Sequence, residues 1–298
     1  MKLRVTFHFP SPDRQGIRGL LAALCCVIAG LPAFGQTYRE RGAYLVTAIS
    51  VCGNCHSPHD AANNPIPGME LAGGREFDEA TLGHIVGPNI TPDPETGIGK
   101  WSEDQIVYAL RNGKRPDGTI IGPPMPIEWY RQLSDRDARS IAVYLKSIKP
   151  IRHAVARSQY KIPLPPSYGP VVDHVAEPDR KNKLAYGAYL AGPVAHCMEC
   201  HTPREKGRLD MDRLGAGGRE FPDFRHPGAL TVSRNITPDP DNGLAHWSDA
   251  DIKRAIMLGK RQDGTELAAL MPFAGYRKMD WRDLSDIVFY LRSLKPVK

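Results

Sequence analysis

The sequence predicts an all-α fold, built as two tandem helical domains with long glycine- and proline-rich loops. Three observations predict it. First, the 298-residue chain is internally duplicated: Gly42-Ala43-Tyr44-Leu45 returns as Gly187-Ala188-Tyr189-Leu190, an offset of 145. Gly73-Gly74-Arg75-Glu76-Phe77 returns at Gly217 after 144 residues, and Asn89-Ile90-Thr91-Pro92-Asp93-Pro94 returns at Asn235 after 146. That last offset then holds for Trp101 with Trp247, Gly113-Lys114-Arg115 with Gly259-Lys260-Arg261, Met125-Pro126 with Met271-Pro272, and Tyr144-Leu145 with Tyr290-Leu291. A period of this length means two homologous modules. Second, each copy opens and closes with apolar residues at helical spacing. Third, glycine (28) and proline (27) together approach a fifth of the chain, so long irregular segments must join the helices.

The boundaries follow from the repeat. Residues 1–35 form an export signal, 36–149 the first domain, 150–183 a connector and 184–298 the second domain. Lys2, Arg4, Arg14 and Arg18 precede an apolar run from Leu20 to Leu31, and Ala33-Phe34-Gly35 offers small residues for cleavage near Gly35. The run is shorter than the roughly 20 apolar residues of a spanning helix. In each domain a first helix begins near Tyr38 or its counterpart, with Tyr44, Leu45 and Ala48 on one face. Gly42 and Gly187 sit inside this helix, where glycine costs roughly 1 kcal/mol against alanine, so another helix should approach closely there. The expected partner is the last helix, at Tyr144 or Tyr290. Ser102 with Gln105 reads as a capping box for a second helix that Asn112-Gly113 stops, and Ser248 with Asp251 opens its counterpart. Ser134 and Asp280 cap the last helices, whose apolar stripes are Ile141, Tyr144, Leu145, Ile148 and Ile287, Tyr290, Leu291, Leu294. Pro150, Pro163, Pro165, Pro166, Pro170 and Pro178 make the connector extended rather than helical.

The chemistry lies in a motif that occurs once per copy. Cys52-Gly53-Asn54-Cys55-His56 returns as Cys197-Met198-Glu199-Cys200-His201. C-x-x-C-H is the attachment pattern of haem c: two thiols spaced to form thioethers with the porphyrin vinyls, and a histidine that can reach the iron. A zinc knuckle or a redox dithiol would not explain the histidine in both copies. Two covalently bound haem c groups are therefore expected, with His56 and His201 as proximal iron ligands. A sixth ligand should recur at equal distance from each motif. Met125 and Met271 do so, 73 and 74 residues after Cys52 and Cys197, each followed by proline. His84, His226 and His246 have no counterpart. A lone buried methionine is more often core filling, but the recurrence favours ligation. His/Met ligation raises the potential and fills both axial positions, which suits electron transfer. Arg75, Arg219, Asn89, Asn235, Trp101 and Trp247 also recur, as donors to haem propionates or as loop-fixing groups.

Charge and cysteine content narrow the classes. The net charge of +6 falls to +3 once residues 1–35 are removed, and the charges form no long runs, so nucleic acid is not an expected partner. Of six cysteines, four lie in the two motifs; Cys25 and Cys26 leave with the signal. No pair remains for a disulfide.

Taken together, the modules resemble class I cytochrome c domains. More narrowly, the Asn-Ile-Thr-Pro-Asp, Trp-Ser and Met-Pro series is similar to multihaem cytochrome c subunits that accompany bacterial periplasmic dehydrogenases for alcohols, aldehydes, sugars or N-heterocycles, over residues 38 to 297. The resemblance implies a periplasmic electron-transfer subunit rather than an enzyme. The electron donor would be a dehydrogenase catalytic subunit, and the acceptor a quinone, a terminal oxidase or another cytochrome, with at most peripheral membrane contact. The rival is a dihaem c-type enzyme, peroxidase-like or thiosulfate-oxidising. A peroxidase needs a displaceable ligand on one iron, and thiosulfate oxidation in related proteins goes with a cysteine ligand that the mature chain lacks.

Overall fold

In the computed structural model, residues 36–298 are described, apart from 61, 62, 206, 224–227 and 269. The export signal with its cleavage point near Gly35, Cys25, Cys26 and His226 lie outside the described residues. Residues 36–298 form one compact unit.

The first repeat begins with α1, Tyr38–Tyr44, capped by Thr37, whose hydroxyl accepts from Glu40 N while the Glu40 carboxylate accepts from Thr37 N. This is the reciprocal pair that satisfies two orphan N–H groups. A π-helical turn, Leu45–Ile49, and a short helix α2, Gly53–His56, follow. The helix α3, Glu103–Asn112, starts at the Ser102/Gln105 box and stops at Gly113, which takes the left-handed conformation at φ 62°. A single-turn helix α4, Ile127–Tyr130, leads into α5, Asp135–Ser147, capped by Ser134. The second repeat gives α6, Lys183–Tyr189, a second π-helical turn, Leu190–Val194, and α7, Cys197–His201. It continues with α8, Asp249–Leu258, α9, Phe273–Tyr276, and α10, Trp281–Ser293, capped by Asp280.

The first helix of each repeat crosses the last one at its glycine. A Cβ added at Gly42 would lie 1.9 Å from the Ser140 carbonyl oxygen and 2.6 Å from Tyr144 Cβ; one at Gly187 would lie 2.0 Å from the Asp286 carbonyl oxygen and 2.9 Å from Tyr290 Cβ. The absent side chain lets the backbones touch, which offsets the propensity cost.

The expectation of an all-α fold is corrected by three antiparallel sheets among the described residues. Strand β1, Glu76–Glu79, pairs with β2, Gly83–Val86, which also pairs with β3, Gln159–Tyr160. In the second repeat β4, Arg204–Glu205, pairs with β5, Arg208–Leu209, and β6, Glu220–Pro222, with β7, Leu230–Val232. The physical reason is that long loops still carry a donor and an acceptor at every residue, and short ladders satisfy them. Strands of two to four residues leave too little alternation in the sequence to read.

The connector is extended, and it is bound along the first repeat. The Asn112 side chain accepts from Val172 N at 2.8 Å and donates to Val172 O at 3.3 Å, and Asp135 N donates to Val175 O at 2.9 Å. Tyr168 OH donates to Ile121 O at 2.7 Å.

The repeats meet through buried polar pairs that exchange partners across the interface. Tyr44 OH donates to Asp283 at 2.9 Å, and its counterpart Tyr189 OH donates to Asp137 at 2.8 Å. Arg41, buried, holds Asp137 with two bonds of 2.8 Å and lies 3.8 Å from Asp283. Such a fork is the geometry that compensates a buried carboxylate. Burial pushes the Asp283 carboxyl up, against the pull of Tyr44, Arg180 and Arg41. The apolar core is continuous through both repeats, from Leu45, Ile49, Leu133 and Ile141 to Leu190, Val194, Leu284 and Ile287.

Candidate functional site

Each C-x-x-C-H motif forms a helical turn placed by the π-helical turn before it. Cys52 N donates to Val46 O at 3.0 Å, Val51 bends the chain at φ 45°, and α2 then carries the thiols of Cys52 and Cys55 three residues apart on one face. In the second repeat His196, at φ 43°, makes the same bend before α7 with Cys197 and Cys200. The four thiols are free of disulfides. Burial pushes Cys52 and Cys197 up to about 12. Cys200 rises to about 11, first by burial, then by Glu199, and it also feels Cys55 of the other motif. Cys55 is raised by burial as well. A redox dithiol needs a depressed thiol pKa, so these environments do not suit one.

The histidines are oriented identically. His56 Nδ1 lies 2.9 Å from Pro88 O, and His201 Nδ1 lies 2.7 Å from Arg234 O, its repeat counterpart. A carbonyl can only accept, so Nδ1 carries the proton and Nε2 keeps its lone pair. Burial lowers both pKa values, which keeps the rings neutral. A ligating histidine needs both features. Among the described residues there is no group of three or more His, Cys, Asp or Glu that could hold a metal ion.

The methionine loops also repeat. Met125 and Met271 are half-buried against the core that Cys52 and Cys197 border. Each is followed by a proline in nearly the same conformation, φ −83° and ψ 60° at Pro126, φ −81° and ψ 61° at Pro272.

The other recurring residues fix loops. Arg75 donates to Asn54 O and Arg219 to Glu199 O, so each guanidinium clamps the carbonyl between the cysteines of its motif. Asn89 Oδ1 accepts from Thr91 N at 2.9 Å while its amide donates to Ile151 O at 2.8 Å. Asn235 repeats this with Thr237 N at 2.9 Å and Val297 O at 2.6 Å. Gly73 N and Gly217 N donate to His56 O and His201 O at 2.7 and 2.8 Å.

Two further residues stand at the site. Tyr130 is fully enclosed beside Cys52 and Cys55, and Tyr276 beside Cys197 and Cys200; their hydroxyls turn to Ser50 and to Ala195 O. The Trp129 indole N–H is buried without a partner among the described residues. Paired thiols, a pre-oriented imidazole and a repeated thioether together fit haem c.

No family model matches the chain. It is 30% identical over 275 residues to the cytochrome c subunit of the quinone-dependent alcohol dehydrogenase of Gluconobacter oxydans, across 87% of this chain and 55% of that protein. It is 32% identical over 274 residues to the cytochrome subunit of fructose dehydrogenase from Gluconobacter japonicus, across 86% of this chain and 52% of that protein. A diheme cytochrome c-type protein of Cereibacter sphaeroides is 30% identical over 223 residues, which cover 71% of this chain and 70% of that protein. The chain belongs to this family of c-type cytochromes. The cytochrome spans about half the length of the Gluconobacter dehydrogenase subunits. No helix among its described residues is long and apolar enough to cross a membrane.

Proposed function

We propose that this cytochrome is an exported dihaem electron carrier of a dehydrogenase system. Cys52 and Cys55 hold one haem c and Cys197 and Cys200 the other. His56 and Met125 ligate the first iron, His201 and Met271 the second. The bound haems supply one-electron redox chemistry at iron. The protein's part is to orient the ligands: the carbonyls of Pro88 and Arg234 hold the two imidazoles with Nε2 free, and the Met-Pro turns hold the thioethers against the core. The observation that carries the reading is the pair of identical Nδ1-to-carbonyl bonds at equivalent places in both repeats.

The dehydrogenase relatives support a catalytic subunit as the electron donor, with a quinone, a terminal oxidase or another cytochrome as acceptor. The segment before residue 36 supports export to the periplasm. The reading is tested on purified protein by the far-red charge-transfer band of thioether-bound ferric iron. It should halve in Met125→Ala and in Met271→Ala and vanish in the double variant. Carbon monoxide binding by the untreated ferrous protein would contradict it.

A further inference from the structure

The residue just before the first cysteine of each motif is held in the left-handed region, at φ 45° for Val51 and φ 43° for His196. Valine, being β-branched, adopts it only under strain, and histidine seldom adopts it; such conformations persist where surrounding structure enforces them. Both residues are packed against the other repeat. Val51 points onto α9, where a Cβ added at Gly275 would lie 2.5 Å from Val51 Cγ2, so that position has room for no side chain. His196 points onto α4, its ring 6.0 Å from the Tyr130 ring in an edge-on arrangement, and its Nε2 donates to Ser50 O at 3.3 Å. Both α4 and α9 begin directly after a Met-Pro pair. The turn following the methionine of one repeat is thus keyed to the cysteine-bearing turn of the other, in both directions.

We infer that Val51 and His196 are positioning residues that fix the spacing of the two haem sites for direct electron exchange between them. In that exchange one iron goes from ferrous to ferric as the other goes from ferric to ferrous, and no other reactant is needed. The inference rests on the dihaem reading above, but it makes a separate claim about the chain. Replacement by glycine tests it well, since glycine accepts φ near 45° without strain and removes only the key.

The experiment uses the holoprotein and three measurements: haem count, circular dichroism in the Soret region, and the rate at which an electron injected by light redistributes between haems. The wild type should carry two haems and show a bisignate Soret signal from two closely held chromophores. Val51→Gly and His196→Gly should retain both haems and the far-red band. They should weaken the bisignate signal and slow redistribution by about tenfold, a barrier change near 1.4 kcal/mol. His196→Phe, which restores a ring against Tyr130, should recover most of the rate. Redistribution within about twofold of wild type in both glycine variants, with an unchanged Soret signal, would overturn the inference. A wild-type protein with two haems and no bisignate signal would overturn it without any variant. A wild-type protein lacking one haem would instead overturn the dihaem reading.

Discussion

Gly42→Ala puts the packing logic to its sharpest test, because the two relevant effects have opposite signs. In an open helix the change would stabilise by about 1 kcal/mol, through better helix propensity. Here the new Cβ would stand 1.9 Å from the Ser140 carbonyl oxygen, where ordinary contact begins near 3.4 Å, so α1 and α5 must part by about 1.5 Å, the difference of the two. Overpacking of a fitted core costs about 1 to 3 kcal/mol, and a backbone carbonyl in a helix cannot swing aside, so the upper end applies. The net expectation is a loss of about 2 kcal/mol, or a fall in Tm of roughly 4 to 8 °C for a domain of this size. Gly187→Ala should behave alike, since its Cβ would lie 2.0 Å from the Asp286 carbonyl oxygen. Thermal melting followed by far-UV circular dichroism reads the effect. An unchanged or raised Tm would show that the helices are not in backbone contact at these glycines.

Arg41→Met should cost about 3 to 5 kcal/mol in urea unfolding, because it strands the buried Asp137 carboxylate. Asp251, held first by the Ser248 hydroxyl and then by Gln262, is lowered to about 2. A depressed acid contributes stability above its unfolded pKa and loses it as pH falls through the folded value, so the cap of α8 should weaken between about pH 4 and pH 2. Asp251→Gln, which copies Gln105 of α3, should remove that acid-dependent step from melting curves, while retention of the step would assign it elsewhere. Replacing Met125 by alanine should lower the reduction potential of one haem and leave the other unmoved in a redox titration, because the soft thioether favours ferrous iron. Equal shifts at both haems would argue against one methionine per iron.

What the sequence could show and what it hid divide along physical lines. The helix ends were legible because capping is a local, side-chain-specific event: Ser102, Ser134, Ser248 and Asp280 each accept the bond their positions implied. The glycine crossings were legible for the same kind of reason, since a repeated glycine inside a helix needs a cause. The sheets were not, because β3 and its partners are two to four residues long and set by pairing across the chain. The route of the connector over Asn112 and Asp135 depends on contacts some 40 to 60 residues apart in sequence. Tyr130 could have been found, since Tyr276 repeats it at the offset that selected Met125 and Met271. The Arg75 and Arg219 pair shows the limit of recurrence: it marked both residues, but only geometry shows that they clamp carbonyls within the motifs.

Two covalent haems in one chain are tested most directly by the intact mass of the purified protein before and after Cys-to-Ser substitution. The wild type should carry the mass of two haems, Cys52→Ser with Cys55→Ser should remove one, and Cys197→Ser with Cys200→Ser the other. A wild-type mass equal to that of the bare polypeptide, or one that keeps both haems after either pair is replaced, would contradict it.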